Sequence, residues 1–304
     1  MTEQVFAGYA GALGIKAESS WNTKATPPTT FLEIESETFN EMRNWIDTMG
    51  IDGTRSRSKS RSAATTLDPR GGFKLAGTKS ADLGALLALA LGAYGVGTGY
   101  MADALPSFTA VILKGDQYSV YTGCMMTGLD FDASDADQAL KLTAEAVAGA
   151  LVVGTSADLG TPSYANEPPL VFAGSSLSVG GTSVISKSFK LSVKNKLEEQ
   201  MFRNSRSRVA LPVIGEREVN GEIGLDWNDA NIAAFLTGWR ADQYAALSTT
   251  FTNGVHNVTF ICPNCRFPTD WAQLANKDAL GTTAKFEARS SAAGARDELQ
   301  VYVV

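Results

Sequence analysis

Apolar and polar residues alternate along most of the chain, and this period of two predicts mainly β structure. Strands are indicated by SFTAVILKG (107–115) and by QYSVYTGCMMTGLDFDAS (117–134), which a Gly-Asp turn joins. The run ALKLTAEAVAGALVVG (139–154) fits a helix or a strand, and a repeat described below favours the strand. Two alternating runs around a Gly-Gly pair predict a hairpin within 176–193.

One predicted strand has an acidic face. In TFLEIESETF (30–39), Glu33, Glu35 and Glu37 alternate with Leu, Ile, Ser and Thr. Successive side chains of a strand point to opposite faces, so the three carboxylates are expected on one face.

The clearest helix follows Ser80, which is a candidate N-cap. Leu83, Leu86 and Leu87 recur at helical spacing and predict a buried face, and Gly92 is expected to end the helix.

Proline and glycine divide the chain. Residues 1–30 are small, polar and interrupted by prolines, which predicts an extended N-terminal arm. TTLDPRGGFKLAG (65–77) predicts a turn followed by a strand, and residues 155–169 predict a linker. We expect a first β domain at 31–160 and a second at 161–304.

Four stretches of the first half recur in the same order in the second half, and this predicts a tandem duplication. The pairs are TRSRS (54–58) with SRSRV (205–209), ADLGALL (81–87) with ANIAAFL (230–236), QYSVYTGC (117–124) with HNVTFIC (256–262), and ALKLTAEA (139–146) with TAKFEARS (283–290). The second pair places Ile232, Phe235 and Leu236 on the helix face of the three leucines.

The predicted fold is therefore two similar β-sandwich or barrel domains. Each has one short flanking α-helix and a long charged loop. Open sheet edges in such units commonly add strands from neighbours, so we expect the chain to form oligomers.

The charge balance bears on the segment GTRSRSKSRS (53–62), in which Arg55, Arg57, Lys59 and Arg61 alternate with serine. On its own this segment resembles a nucleic-acid-binding arm. However, the 304-residue chain has a net charge of −6, whereas proteins that act through phosphate contacts are usually basic. Because the tract recurs as Arg206 and Arg208, we interpret it as a loop that docks on protein.

No catalytic, metal or cofactor site emerges from the sequence. CPNC (262–265) lacks the further ligands of a zinc site, and two packed thiols are the simpler interpretation. His256 is the only histidine, and no G-x-S-x-G is present. We expect no enzymatic activity, no cofactor and no metal, and the oxidation state of Cys262 and Cys265 is left open.

The sequence offers no membrane segment. Its most apolar run, 83–91, is too short to cross a bilayer, and its first residues lack the pattern of a signal peptide. We therefore expect no membrane insertion by this chain, and a setting in a reducing cytoplasm or a particle assembled there.

The order of these motifs resembles the tail tube proteins of long-tailed bacteriophages with non-contractile tails, in the group with a duplicated tube domain. The resemblance is carried by FLEIESETFNEMRNWID with GTRSR, by GGFKL with DLGALLALALGA, by YTGCMMTGLDF, and by SLSVGGTSVISKSFKLSVKNKLEE.

The resemblance implies a structural virion protein, located in the phage tail and assembled in the cytoplasm of the bacterial host. Inner strands would join into a β-lined channel, three chains would form a pseudo-sixfold ring, and rings would stack into a tube for DNA ejection. The implied partners are further copies of the chain, a tape-measure protein and passing double-stranded DNA in the lumen, and tail terminator and tail-tip proteins at the ends. The long charged loop would reach a neighbouring ring.

Two other classes stay open at this point: another tail or virion ring protein, such as a terminator, baseplate hub or decoration protein, and a nucleic-acid-binding module. For the loop, we hypothesise that the acidic strand face and the Arg-Ser tract meet across a subunit or ring interface, because four like charges need anionic partners.

Overall fold

The computed structural model describes residues 8–48, 59–92, 102–134, 138–198, 202–226, 244–267 and 281–304. Antiparallel strands dominate this part of the chain, which confirms the predicted mainly β class. In chain order the strands are β1 (Ala12–Ala17), β2 (Thr30–Leu32), β3 (Ile34–Glu37), β4 (Asn40–Asp47), β5 (Ser62–Leu75), β6 (Phe108–Lys114), β7 (Gln117–Ala133), β8 (Lys141–Val147), β9 (Ala150–Val153), β10 (Val171–Val179), β11 (Thr182–Ser183), β12 (Ser186–Glu198), β13 (Val213–Asp226), β14 (Ala245–Thr252), β15 (Asn257–Arg266), β16 (Gly281–Ala288) and β17 (Gln300–Val303). The helices are α1 (Ser80–Leu91) and α2 (Ser156–Leu159).

Two series of strands pair in the same order. In the first half the order is β4–β5–β8–β7–β6–β1, and in the second half it is β12–β13–β16–β15–β14–β10. Strand β9 adds to β7 as β17 adds to β15. β3 also pairs with β5, so β3 and β4 together occupy the place of β12.

Register shifts fall at equivalent places in the two series. Strand pairing shifts between Phe108 and Ala110 in the first series and between Ala245 and Leu247 in the second. It also shifts between Arg43 and Trp45 of β4, and between Asn195 and Leu197 of β12. Because β-bulges are specific local features, their recurrence supports the predicted duplication.

The two series are joined by strand β7, which is 17 residues long. Its first part pairs with β6 and β9, and its second part pairs with β8 and with β12 of the second series. One hydrophobic core cluster contains buried residues of both series, including Phe131 from β7 and Phe260 from β15, whose rings lie 4.9 Å apart. The division at residue 160 stays a prediction.

The sequence interpretation of residues 1–30 as an extended arm is wrong for β1. This strand lies between β2 and β6, and its Leu13 and Ile15 are fully buried. The reason is topological: β1 is the counterpart of β10 and completes the first series, but its six residues are too short for alternation to stand out.

The turn predicted in the first part of TTLDPRGGFKLAG (65–77) is also wrong, because β5 continues through Pro69. Thr38 N–H donates to Gly72 O, so Gly72 directs its backbone groups toward β3 and β4. Successive residues of a strand direct these groups to alternate sides, so Pro69, three residues from Gly72, directs its own away from β4. Pro69 lies opposite Glu41, at a position where no donor toward β4 is needed.

Helix α1 packs its leucines as expected, with Leu83, Leu86 and Leu87 fully buried and Gly92 at its C-cap. Ser80, however, is the first helical residue and not the N-cap, which is Lys79. The second-half counterparts of these three leucines, which are Ile232, Phe235 and Leu236, lie outside the described residues.

The remaining strand predictions agree with the structure except for the last part of the predicted hairpin. β6 and β7 are joined at the Gly-Asp turn, where Gly115 has φ 65°. The ambiguous segment forms β8 and β9, and β10 and β11 form a hairpin around the Gly-Gly pair. β12, the last part of that predicted hairpin, pairs instead with β7 and β13.

Candidate assembly surfaces

The second copy of the Arg-Ser tract packs against the first half of the same chain. The backbone of Leu67 in β5 donates to Arg206 O at 2.8 Å, and the Arg206 side chain is exposed. Two residues on, Arg208 is buried and forms an ion pair with Asp68. Its guanidinium also donates to Pro69 O at 3.2 Å and to Ala148 O.

Arg208 is therefore buried and paired within the chain, whereas the sequence analysis expected it at a contact with another subunit. A buried guanidinium needs a carboxylate and several acceptors, and Asp68 and the carbonyl groups of Pro69 in β5 and of Ala148 after β8 supply them. The ring of Phe202 lies 5.0 Å from the guanidinium carbon and closes the site. Nothing in the SRSR pattern distinguishes the buried arginine from the exposed one.

The first copy of the tract is described only in part. Arg55 and Arg57 lie outside the described residues. Lys59 and Arg61 form a short 3-10 turn before β5, with Lys59 exposed, and Thr48 N–H donates to Arg61 O at 2.9 Å.

The three glutamates do not share one face. Pairing shifts between Ile34 and Ser36, and this bulge changes which face the following residues occupy. Glu35 pairs with Lys74 at 3.0 Å on the exposed side of β5, whereas Glu37 pairs with Lys114 of β6 at 2.7 Å.

Glu33 belongs to a polar cluster at the start of α1. It pairs with Lys79 at 2.7 Å, and Glu167 of the linker accepts from Ala81 N–H at 2.8 Å and from the Ser80 hydroxyl. Glu167 is thus the carboxylate that caps α1. Burial raises the pKa of Asp82 to about 6, and the nearby Lys79 opposes this rise.

Each of the three glutamates therefore has a lysine partner within the chain. The hypothesis that they need the Arg-Ser tract as counter-charge is not required by the structure. Sequence reasoning missed these partners because Lys74 lies on β5, Lys79 just before α1 and Lys114 on β6.

A continuous sheet with one polar face runs through both series in the order β5–β8–β7–β12–β13–β16. Leu142, Phe131, Leu191, Ile223 and Phe286 are buried on its inner face.

The exposed face contains a row of alternating charge across five strands. Successive register partners in this row are Lys141, Asp132, Lys190, Glu222 and Lys285. The Lys190–Asp132 and Lys285–Glu222 charges are 4.0 and 3.8 Å apart. The row joins residues that are far apart in sequence, so no local pattern could reveal it.

The cysteines are packed thiols. Cys124, Cys262 and Cys265 are all free and buried. The Sγ of Cys124 donates to Tyr121 O and that of Cys265 to Cys262 O, at the same bulge in each series. Burial raises the pKa of Cys124, and the neighbouring Cys265 thiol together with burial raises that of Cys262, so the unreactive thiol forms are favoured.

The predicted repeat match between Cys124 and Cys262 is therefore shifted, and Cys265 is the true counterpart of Cys124. Pro263 lies within β15, which continues to Arg266. Among the described residues, neither α-helix has the length and apolar character needed to span a bilayer.

These features indicate the class of protein. A long two-sided sheet, strand edges without partners among the described residues and a balanced polar face are typical of a structural subunit that assembles with others.

The family model for the phage tail tube protein matches residues 8–295, so the chain belongs to that family. This confirms the resemblance seen in the sequence and makes the protein a structural component of a phage tail. A comparison with curated proteins finds no match.

The structure predicts very different effects for the two arginines of SRSR. Arg208→Ala leaves Asp68 buried without its full counter-charge and should lower the free energy of unfolding by about 3–5 kcal/mol. Arg206→Ala, the matched control in the same loop, should change it by less than about 0.5 kcal/mol. Urea denaturation measures both, and equal small effects would contradict the structural role of Arg208.

Proposed function

We propose that this chain is the major tail tube subunit, which forms stacked rings around a channel for DNA ejection. Membership of the family supports a tail tube role, and the shared strand β7 supports the assembly. Each chain presents two similar series of strands side by side, so three chains supply six similar units for one pseudo-sixfold ring.

The observation that carries this proposal is the continuous sheet across both series. A ring built from such chains needs only to continue the same strand pairing from chain to chain. Heterologous contacts of this kind close into rings by rotation or grow into filaments by stacking.

We further propose that the polar face of this sheet lines the lumen. A wall that DNA must slide past should not bind phosphate tightly, because each phosphate contact releases counterions and adds affinity. The alternating row Lys141–Asp132–Lys190–Glu222–Lys285 keeps each cation beside a carboxylate. The tape-measure protein would occupy the same space before ejection, and terminator and tip proteins would cover the ends of the tube. Assembly in the host cytoplasm suits the free thiols.

Arg55, Arg57, Lys59 and Arg61 are proposed to contact a neighbouring subunit. Their sequence counterpart, the segment of Arg206 and Arg208, packs on β5 across the junction between the two series. In the first series, the equivalent junction has no partner within the described chain, so the equivalent contact would be made with another copy.

The first test is the assembly state. Purified protein examined by negative-stain electron microscopy and analytical ultracentrifugation should form rings or tubes with a central hole. The expected cause is strand pairing between chains, so assembly should rise steeply with concentration. Stable monodisperse monomers at high concentration would contradict the proposed function.

The second test concerns the Arg-Ser tract. Reversing Arg55, Arg57, Lys59 and Arg61 to glutamate should block assembly and leave the circular dichroism spectrum unchanged, because four cations of the proposed contact become anions. Replacing the three arginines by lysine retains the charge and should leave assembly intact. Normal polymerisation of the charge-reversed variant would contradict the proposed contact.

The third test concerns the lumen. Asp132 lies between Lys141 and Lys190, and Asp130, two residues away on the same face, lies opposite Thr143 and Ser192. Asp130→Lys with Asp132→Lys replaces both carboxylates by cations and should increase affinity for double-stranded DNA at least tenfold at low salt. Binding is measured by fluorescence anisotropy over a salt series. Asp103→Lys with Asp116→Lys makes the same charge change away from this face. If both variants bind DNA equally in assembled tubes, the polar face does not line the lumen.

A further inference from the structure

Residues 165–170, which lead from the linker into β10, are held against the start of α1 by hydrogen bonds. The Lys79 ammonium donates to Ala165 O at 2.7 Å, and Leu170 N–H donates to Thr78 O at 2.8 Å. Both contacts come from residues that directly precede the helix. The position of this segment therefore depends on polar groups of the first series.

Glu167 connects the same segment to both halves of the chain. On one side its carboxylate accepts from Ala81 N–H of α1 at 2.8 Å. On the other side it lies 3.5 Å from the imidazole of His256, in the turn between β14 and β15. In that turn, the side-chain amide of Asn253 donates to Pro168 O at 2.9 Å. The segment thus bridges α1 and the second series.

The cluster at the start of α1 contains more carboxylates than cations. Glu33, Asp82 and Glu167 interact with a single lysine, Lys79, which pairs with Glu33 at 2.7 Å. His256 adds a positive charge beside Glu167 only when its imidazole is protonated. Like charges in a desolvated site repel one another, and a bound proton relieves part of this repulsion.

Asp82 is the carboxyl group best placed to bind that proton. It is only 4% exposed, and no hydrogen bond reaches its carboxyl among the described residues. By contrast, Glu167 accepts hydrogen bonds from the helix start, and Glu33 has Lys79 as its counter-charge. Burial and the like charges of Glu167 and Glu33 raise the pKa of Asp82 to about 6. The nearby Lys79 opposes this rise.

A proton on Asp82 affects the linker through the end of the helix. Asp82 lies in the first turn of α1, and Glu167 binds the same helix end, where negative charge is favoured. Asp82 is part of the helix and keeps its place, whereas Glu167 belongs to the linker. Repulsion between the two carboxylates therefore acts to move the linker away from α1, and it disappears when Asp82 is neutral.

We propose that the polar cluster at the start of α1 is a proton-binding latch, which holds residues 165–170 against the helix more firmly in mild acid than at neutral pH. The latch consists of Glu33, Lys79, Asp82 and Glu167. Asp82 takes the proton, and the linker is the element that responds. All of these contacts lie within one chain, so the latch does not depend on the proposed tube function.

The direction of the pH effect follows from the pKa of Asp82. The ordinary pKa of an aspartate is 3.8, so folding raises this pKa and takes up a proton. The resulting stability is fully present below the unfolded pKa and is lost as the pH rises through about 6. Between about pH 7.5 and about pH 5, the unfolding equilibrium constant should fall about tenfold.

Urea denaturation of the full-length chain at these two pH values, at one protein concentration, measures this change. The wild type should show the tenfold fall, and Asp82→Asn should lose most of it because an amide binds no proton. Asp116, in the turn between β6 and β7, is exposed, so Asp116→Asn is the matched control and should keep the wild-type pH dependence. The same pH dependence in the wild type and in Asp82→Asn would overturn the proposal.

Carbon-13 magnetic resonance gives a readout that needs no variant, in solution or, for assembled protein, in the solid state. One aspartate carboxyl resonance of the folded wild type should titrate near pH 6. Exposed aspartates titrate near pH 4, at about 3.9. If every aspartate resonance titrates in that lower range, Asp82 does not bind the proton and the proposal fails.

Hydrogen exchange tests the response of the linker. After correction for the intrinsic effect of pH on exchange, the amides of Ala81 and Leu170 should be better protected in mild acid than at neutral pH. Asp82→Asn should show no such difference. Proton uptake by Asp82 without added protection at these two amides would show that the proton does not control the linker, and the latch would be rejected.

Discussion

Pairing between β7 and β12 is the interaction on which the architecture depends. Register partners from Gly128–Lys194 to Ala133–Phe189 join the first series of strands to the second. Because β7 also pairs with β6, β8 and β9, this single strand links most of the first series and fixes the position of the second. The inner-face residues Phe131 and Leu191 bury the seam, and their outer neighbours build the charged row. The continuity of the sheet, the shared core and the polar face all follow from the pairing of β7 with β12.

The same constraint separates two kinds of edge. An edge that is always covered can hold aromatic residues, and Phe189 and Phe251 occupy the covered one. Glu37 and Lys114 lie at the edge formed by β3 and β4, which pairs only with β5 among the described residues. A duplicated chain can specialise its two copies in this way, whereas a chain with one copy has to use the same residues for both conditions. In the proposed assembly, the junction between β7 and β12 is the model for contacts between chains.

Charged residues at the surface are organised by pairs that the fold brings together. Glu33, Glu35 and Glu37 each find a lysine on a different element, and Glu167 from the linker caps α1. Arg208 shows the opposite outcome: a residue of a polar, repetitive segment becomes buried because Asp68 and two carbonyl groups surround it. Charge patterns in the sequence identified the residues concerned, and their partners depended on the pairing of distant strands.

The sequence by itself determined the mainly β class, the helix face of Leu83, Leu86 and Leu87, the order of the repeated motifs and the family. These depend on local periodicity and composition, which neighbouring residues set. Tertiary structure alone decided the place of β1, the continuity of β5 through Pro69, the opposite faces of Glu35 and Glu37, the burial of Arg208 and the row of charges. A period-two pattern reads the same after a shift of two residues, so it cannot fix register or locate a bulge. Those are set by hydrogen bonds between strands far apart in the chain, and the faces of the sheet follow from them.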